Sequence, residues 1–322
     1  MRFSVILARG HMVSGSRTGR RTALATLLAL AGACSSSNSE VKPDGAAGAS
    51  GAGGTAGMTG TGGGPCPPRT TYTEASHLIV NVSWPAGIAS MRGDGELHVW
   101  GKVVYTASGN TLSGMLQACG ISLPPTTLTA LGGGGMIQID VPNDKWEAPS
   151  MPRFQVDGTQ TAWDIGATLN FSYVALIGFT MADAATAAWP SSYTGITMTN
   201  DAEGDMHVGL TAVPRSGTGF TLPPTSIAQS SRADQLYIVI RQVTSATLTR
   251  TACDQASGSA TFMHLNNHVV GCHVMGGSDC MPADINFIDT NRAIYEITGA
   301  TAQTKVVADT ATCADVRAAL PM

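Results

Sequence analysis

The sequence predicts an all-β fold, an antiparallel sandwich or barrel-like domain with one or two short helices and disulfide braces. Apolar and polar residues alternate with period two in one segment after another, and Gly and Pro residues separate these segments. Six cysteines lie in the same region of the chain. Because no long helices alternate with the predicted strands, antiparallel pairing is favoured.

The predicted strands follow from this alternation. In 78–84 the even positions are apolar, whereas His77, Asn81 and Ser83 point the other way. The alternation is clearest in 169–179, a strand long enough for a barrel or a large sandwich. Further strands are predicted at 97–105, 136–141, 206–213, 236–243, 246–251, 260–270, 294–298 and 304–307.

Two short helices are predicted. The first covers 111–119, where apolar residues recur at helical spacing until Gly120 ends the helix. The second lies at 316–320, after Thr312 and Asp315, which form a capping-box pattern. The globular region, 66–322, is predicted as one domain, with two subdomains that divide near 155–165 as the alternative.

The N-terminal region has the composition of an export signal. Arg17, Arg20 and Arg21 precede the apolar run 22–31, which is too short to span a bilayer and ends in small residues. Residues 30–34 read Leu-Ala-Gly-Ala-Cys and resemble the lipobox of bacterial lipoproteins. This resemblance covers only the first 34 residues. It implies that residues 1–33 are a signal peptide and that the Cys34 sulfur receives a diacylglycerol; secretion with a free Cys34 thiol is the alternative.

The residues after Cys34 predict a location and a tether. By resemblance to Gram-negative lipoproteins, the absence of Asp after Cys34 implies the outer membrane or cell surface. Residues 34–65 consist mainly of Ser, Gly, Ala and Thr, and such a coil has an end-to-end reach of roughly 30 Å. The expected partner is therefore the membrane, through the N-terminal lipid.

The charge balance argues against nucleic acid as a partner. The chain has 18 Lys and Arg residues and 22 Asp and Glu residues, and loss of the five arginines of the signal leaves 13 basic groups, a net charge near −9. No basic cluster remains to replace phosphate counterions.

An even number of cysteines in an exported chain predicts disulfides. Beyond Cys34 there are six, which allow 15 pairings. Cys272 and Cys280 enclose a short loop with two adjacent glycines, so we predict that they pair. For the other four cysteines we predict the pairs Cys253–Cys313 and, by elimination, Cys66–Cys119.

One acidic loop is a calcium candidate. Asp201, Glu203 and Asp205 alternate in a pattern similar to the D-x-D-G-D loops that wrap calcium in many extracellular proteins. The pattern departs from those loops at Met206, where glycine commonly makes the turn, and the absence of Glu at position 212 excludes an EF-hand. The alternative is a solvated acidic turn; no other cofactor is expected.

Other candidate sites are weaker. A metal site at His264, His268, Cys272 and His273 competes with the predicted Cys272–Cys280 disulfide, and the two strand histidines are about 13 Å apart. The acidic residues Asp140, Asp144 and Glu147 are better explained as a polar turn, and no catalytic motif is present. Of the five tryptophans, Trp100 is predicted to be the most exposed and therefore the best candidate for stacking on a sugar.

These observations predict a lipid-anchored protein of the outer membrane or cell surface with a non-catalytic β domain. The domain would bind an envelope protein, a glycan or another ligand, or serve as an envelope scaffold. One alternative is a carrier that holds a lipid or small apolar ligand in a barrel pocket. Another is an exported hydrolase whose site is assembled from distant residues.

Overall fold

Long antiparallel strands dominate the computed structural model, which describes residues 65–84, 93–127, 136–215, 219–221, 232–292 and 294–322. The predicted all-β class is confirmed. The signal peptide, Cys34 and the tether up to residue 64 lie outside the described residues. No helix within the described ranges is long and apolar enough to cross a bilayer.

The strands are β1 (Thr71–Trp84), β2 (Gly93–Ser108), β3 (Thr111–Ser122), β4 (Thr126–Thr127), β5 (Met136–Ile137), β6 (Ile139–Asp140), β7 (Arg153–Gln160), β8 (Thr168–Ile177), β9 (Phe179–Thr180), β10 (Thr197–Met198), β11 (Leu210–Pro214), β12 (Phe220–Thr221), β13 (Arg232–Ala252), β14 (Gln255–Val274) and β15 (Glu296–Val307).

The main sheet closes on itself as a barrel. Around the ring the order is β1, β2, β3, β7, β8, β13, β14 and β15, and β15 pairs back onto β1. All of these pairings are antiparallel. Strands from both sides of 155–165 therefore contribute to the same sheet.

Two different pairs of strands complete the wall between β3 and β13. At one end β7 and β8 fill this position, and β8 pairs with Ile240–Thr249 of β13. At the other end β6 and β11 fill it, and β11 pairs with Leu236–Ile238. We call these the β8 end and the β11 end of the barrel.

The alternation predicted for 78–84 is confirmed and extends towards the start of β1. Leu78 and Val80 face the interior, and the same face continues back through Ser76 to Glu74, which line an interior cavity with Leu78. His77 lies on the outer face, as predicted, but it is fully buried.

The C-terminal helix explains this burial on the outside of the barrel. The predicted helix is confirmed as α2 (Cys313–Ala319), and its capping box is formed because Thr312 Oγ1 accepts from the Asp315 amide at 3.2 Å and Asp315 Oδ2 accepts from the Thr312 amide at 2.8 Å. Trp100 Nε1 donates to the Leu320 carbonyl at 2.8 Å. Trp100 is only 5% exposed, so the prediction that it is an exposed sugar-stacking residue is wrong.

The helix predicted at 111–119 is wrong, because these residues form β3. Gly109 has φ of 59° and occupies the first position of a two-residue turn, the geometry of a type II′ hairpin, which joins β2 to β3 in register. Leu112 and Leu116 are then buried on one face while Met115 is 41% exposed on the other. Cross-strand pairing overrode an apolar spacing that fits a helix equally well.

A helix that the sequence analysis missed is α1 (Pro282–Thr290). Pro282 occupies its first position, and Asp284 at the third helical position accepts from the Met281 amide at 3.3 Å. Pro followed two residues later by Asp is a recognisable helix start.

The disulfides confirm one predicted pair and correct the other two. Cys272 pairs with Cys280 as predicted. The predicted pairs Cys253–Cys313 and Cys66–Cys119 are wrong, since the structure pairs Cys66 with Cys253 and Cys119 with Cys313. The reason is the position of α2, which packs on the outer face of β3 and brings Cys313 to Cys119, with the two Cα atoms 4.8 Å apart.

The strand predicted at 206–213 is partly wrong, since β11 begins only at Leu210. Residues 202–208 form a loop that the bridge between Asp201 and Gly209 closes. The segments predicted as separate strands at 236–243 and 246–251 are one continuous strand, β13.

Candidate functional site

An apolar cavity of about 80 Å³ occupies the interior of the β11 end. At ~10–15 Å³ for each water-sized position, it has room for about five to eight of them. It is lined by Leu97, Ile121, Leu123, Pro124, Ile139, Val141, Leu210, Ala212, Phe220, Leu236, Ile238, Ile240, Leu265, Asn266, Asn267, Val269, Ile288, Arg292 and Tyr295. No carboxylate, histidine, cysteine or lysine is among these lining residues.

Of the polar lining residues, Asn267 alone has a side chain without a hydrogen-bond partner among the described residues. Arg241 donates two hydrogen bonds to the Asn266 carboxamide oxygen, from Nε at 2.9 Å and from Nη2 at 2.7 Å. Arg292 is paired with Asp289, whose Oδ1 lies 3.1 Å from Nη1. Asn267 pairs across the sheet with Ile240, which lines the same cavity, so its carboxamide faces inward.

Along part of β14 in the cavity wall, side chains form the backbone hydrogen bonds that a neighbouring strand would otherwise form. β14 pairs with β15 only over Gln255–Ser259. Farther along β14, the Asn267 carbonyl accepts from Arg292 Nε at 3.0 Å, and the Val269 amide donates to Asp289 Oδ1 at 3.0 Å. The end of α1 and the residues after it thus satisfy backbone groups of an otherwise open strand edge.

Asp289 also holds a buried histidine on the outer side of β14. His268 is fully buried, its Nδ1 lies 2.9 Å from both carboxylate oxygens of Asp289, and its Nε2 lies 2.9 Å from the Pro190 carbonyl. Trp189 stacks on the imidazole at 5.1 Å. With both ring nitrogens occupied and no exposed surface, His268 anchors α1 to the barrel and is inaccessible to a substrate.

The interior of the β8 end is nearly filled, and several polar side chains lie among its apolar ones. Its two cavities measure about 30 and 10 Å³. Gln242 Nε2 donates to Tyr173 Oη at 2.5 Å and to Thr244 Oγ1 at 3.0 Å. Burial raises the pKa of Glu74 to about 7, opposed by the positive charge of Arg250 and by the hydrogen bond from Thr304. The β8 end therefore forms a floor beneath the apolar cavity, and this floor contains hydrogen-bonded polar groups.

The guanidinium of Arg250 is held in this floor. Its Cζ lies 4.5 Å from the ring centroid of Trp163, and Nη1 donates to the Cys253 carbonyl at 3.3 Å. A cation on an aromatic face and a backbone acceptor offset part of the cost of burying the charge. Arg250 thus has a structural role beside Glu74.

The acidic loop is held together by its own hydrogen bonds. Asp201 accepts from the amides of Gly204 and Met206, each at 2.6 Å, and from the amide of Glu203 at 3.1 Å. Asp205 Oδ2 lies 3.2 Å from Lys145 Nζ. Among the described residues, no group of three or more His, Cys, Asp or Glu side chains is arranged to hold a metal ion.

Calcium at Asp201, Glu203 and Asp205 stays a prediction. Bound calcium would require EDTA to lower the melting temperature, because removal of a ligand of the folded state destabilises that state. An unchanged melting curve would count against the site.

The histidine and cysteine candidates are separated in the structure. His264, Asn266 and His268 share the outer face of β14, whereas Cys272 packs with Leu236 after a bulge and is oxidised. His273 instead faces Asp234, with Nδ1 and Oδ1 2.8 Å apart. These residues do not converge on one point.

One outer cluster combines Tyr237, His207 and Asp279. Tyr237 Oη donates to Asp279 Oδ1 at 3.3 Å. The rings of His207 and Tyr237 stack at 4.0 Å and 10°, so the 3.1 Å contact from Oη to Nε2 crosses the stacked planes and does not follow the in-plane lone pair of the imidazole. Burial, with help from Asp279, raises the pKa of Tyr237. The cluster therefore lacks the geometry of a base with an activated nucleophile.

Sequence analysis missed Asn267, although the sequence carries a signal for it. Asn266 and Asn267 are adjacent within the strand predicted at 260–270. Neighbouring side chains of a strand point to opposite faces, so one of the two amides had to face the interior. What the sequence could not show is that this interior contains a cavity.

Comparisons with protein-family models, curated proteins and solved structures gave no match to this chain. Function must therefore be argued from the geometry of the sites.

Proposed function

We propose that this chain is an exported, lipid-anchored protein whose barrel binds a small, largely apolar ligand in the β11-end cavity without transforming it. The observation that carries this proposal is the difference between the two ends of one barrel. The β8 end is nearly filled, whereas the β11 end keeps about 80 Å³ behind a lining dominated by aliphatic side chains. A concave apolar site with few polar groups is the usual form of a small-ligand site.

The cellular setting of the proposal comes from the N-terminal region. The lipobox resemblance at Cys34 and the tether at 34–65 support attachment to the outer membrane or cell surface of a Gram-negative bacterium. Disulfides among all six cysteines of the barrel are compatible with an oxidising compartment. An anchored barrel would retain its ligand at the envelope.

We propose binding without catalysis because of the side chains that line the cavity. A hydrolase needs a nucleophile, metal-bound water or general base within reach of the bound substrate. The lining residues offer only the Arg292 guanidinium, the Tyr295 phenol and carboxamides as polar side chains, and Arg292 is already paired with Asp289. The polar clusters described above lie outside the cavity.

The test is to fill the cavity. Ala212 is fully buried on β11 and lines the cavity, so Ala212→Leu adds three carbons to that space. Toluene is the probe, and binding at ten times its Kd stabilises the folded state by about 1.4 kcal/mol. We expect toluene to raise the melting temperature of the wild-type chain and to leave that of Ala212→Leu unchanged.

Ala175→Leu is the matched control, because Ala175 lines the 30 Å³ cavity towards the β8 end. It makes the same change in the same wall, so it reports the cost of overpacking alone. We expect Ala175→Leu to keep the response to toluene. If neither toluene nor phenol shifts the melting temperature of the wild-type chain, the β11-end cavity is not a ligand site and the proposal fails.

A further inference from the structure

One polar group interrupts the apolar lining of the β11-end cavity. Asn267 lies on the inner face of β14 between Leu265 and Val269, opposite Ile240 of β13. Its backbone carbonyl is satisfied by Arg292 Nε. Its side-chain carboxamide, with two N–H donors and one oxygen acceptor, contacts no hydrogen-bonding partner among the described residues.

Another inward-facing amide shows what a satisfied donor looks like in this barrel. Gln242 is the inward-facing residue one pair closer to the β8 end, and its Nε2 reaches both Tyr173 Oη and Thr244 Oγ1. Asn267 is only half-buried, and its carboxamide is not among the fully buried polar groups that lack a partner. The free carboxamide of Asn267 lies on a cavity, where a ligand can supply the missing partner.

The charges around the cavity favour an uncharged ligand. Arg292 is the one lining side chain with a formal charge, and Asp289 neutralises it at 3.1 Å. An ionised ligand would therefore lose its hydration without gaining a counter-charge, which is unfavourable in an apolar site. A neutral hydroxyl, carbonyl or amide group needs only the hydrogen bonds that Asn267 provides.

We propose that Asn267 determines specificity in this cavity, and that the ligand is a small uncharged molecule with an apolar body and a single hydrogen-bonding group. This inference rests on the proposed function. The volume of about 80 Å³ limits the size of the ligand to about five to eight heavy atoms at the packing used above. In the complex, the apolar body contacts Leu236, Ile238 and Leu265 while the polar group meets the Asn267 carboxamide.

Phenol and toluene test this inference, because they have the same size and differ only in a hydroxyl against a methyl group. Their dissociation constants are measured by calorimetry for the wild-type chain and for Asn267→Leu, which replaces the amide by an apolar side chain with the same branching and the same number of heavy atoms. We expect the ratio of the toluene Kd to the phenol Kd to fall about tenfold in Asn267→Leu, as the loss of one hydrogen bond implies. Comparing ratios cancels the different hydration of the two ligands.

Asn170→Leu is the matched control. Asn170 is also a strand asparagine, but its carboxamide accepts from Thr247 Oγ1 at 2.8 Å away from the cavity, so the ratio should keep its wild-type value. A ratio that is unchanged in Asn267→Leu would overturn the role of Asn267 while leaving the proposed function intact. Failure of both ligands to bind the wild-type chain would instead remove the proposed function.

A measurement on the wild-type chain covers the case in which Asn267→Leu does not fold. In a spectrum of the side-chain amides labelled with nitrogen-15, we expect phenol to move the Asn267 resonances by more than toluene does at equal occupancy. Equal movement with both ligands would contradict a hydrogen bond from the ligand to this residue.

Discussion

At the scale of single residues, Glu74 is the most consequential side chain inside the barrel. It is 1% exposed and accepts a hydrogen bond from Thr304 Oγ1 at 3.1 Å. Removal of a carboxylate from water favours its protonated form, and the nearby positive charge of Arg250 offsets this only in part. The folded protein therefore holds a proton here that the unfolded chain releases.

This difference makes stability depend on pH. The pKa of Glu74 is about 7 in the folded protein, against its ordinary value of 4.5. Between these values the folded state binds more protons than the unfolded state, so the free energy of unfolding falls as pH rises and levels off above about pH 7. The expected loss over the whole range is on the order of 3 kcal/mol, of which about 2 kcal/mol falls between pH 5 and pH 7.5. In Glu74→Gln this loss should be absent, as measured by urea unfolding at pH 5 and pH 7.5.

Comparison of variant with wild type is necessary because other groups titrate in overlapping ranges. Burial, with the neighbouring His98, lowers the pKa of His77 to about 4. His77 therefore lowers the free energy of unfolding of the protein as pH falls below 6.5, the ordinary pKa of histidine. Burial raises the pKa of Glu203 to about 7, which acts in the same direction as Glu74. Glu296→Gln, an exposed change of the same kind on β15, is the control. A difference between wild type and Glu74→Gln that is equal at both pH values would contradict the argument.

The sequence shows why Glu74 could not be foreseen. Alternation in 78–84 predicted the inner face of β1 correctly, and the same face extends back to Glu74. A Glu at the end of an alternating segment is usually solvated, and nothing local distinguishes this one. Only closure of the ring brings Arg250 near it, and that closure depends on strands more than a hundred residues away.

At the scale of elements, local patterns predicted structure correctly where no distant partner competed. The capping box of Thr312 and Asp315 predicted α2, because the side chain and backbone bonds that begin a helix lie within four residues. The segment 111–119 had equally good helical spacing. Its neighbours β2 and β7 both pair with it, and the resulting ladders decided for a strand.

The disulfides show the same dependence on distant contacts. Cys272 and Cys280 are eight residues apart and were paired from local geometry alone. The partner of Cys313 depends on where α2 docks, and α2 docks on the outer face of β3 next to Cys119, at a sequence separation of 194. No local pattern contains that information.

Loop length predicts which disulfide matters more for stability. A cross-link reduces the entropy of the unfolded chain more when it closes a longer loop. We expect the double change Cys119→Ala and Cys313→Ala to lower the free energy of unfolding by about 2–3 kcal/mol more than the double change Cys272→Ala and Cys280→Ala. Urea unfolding without reductant measures both variants, and equal losses would contradict the expectation.

At the scale of the whole molecule, the sequence left sandwich and barrel open because the choice depends on the pairing of β3. Its first half pairs with β7, and Ser122 near its other end pairs with β6. β13 changes partner in the same way, because one part of it pairs with β8 and another part pairs with β11. This change of partner along both strands closes the ring and gives its two ends different interiors. The cavity is lined from β2, β3, β6, β11, β12, β13, β14 and α1, so no single segment could have predicted it.

The attachment of this barrel to a membrane is the remaining prediction at this scale, and it depends on Cys34. A diacylglycerol on its sulfur buries many CH₂ groups at ~0.8 kcal/mol each, so the mature protein should partition into the detergent-rich phase of a phase-separating detergent. Cys34→Ser should move it to the aqueous phase. Both forms should melt at the same temperature, since about thirty Gly-, Ser- and Ala-rich residues lie between residue 34 and the barrel in the sequence. Mass spectrometry of the wild-type protein should find residue 34 at the N-terminus with the added mass of the lipid. An unmodified Cys34 in an uncleaved chain would refute the anchor, and with it the envelope location, while leaving the ligand cavity to be tested on its own.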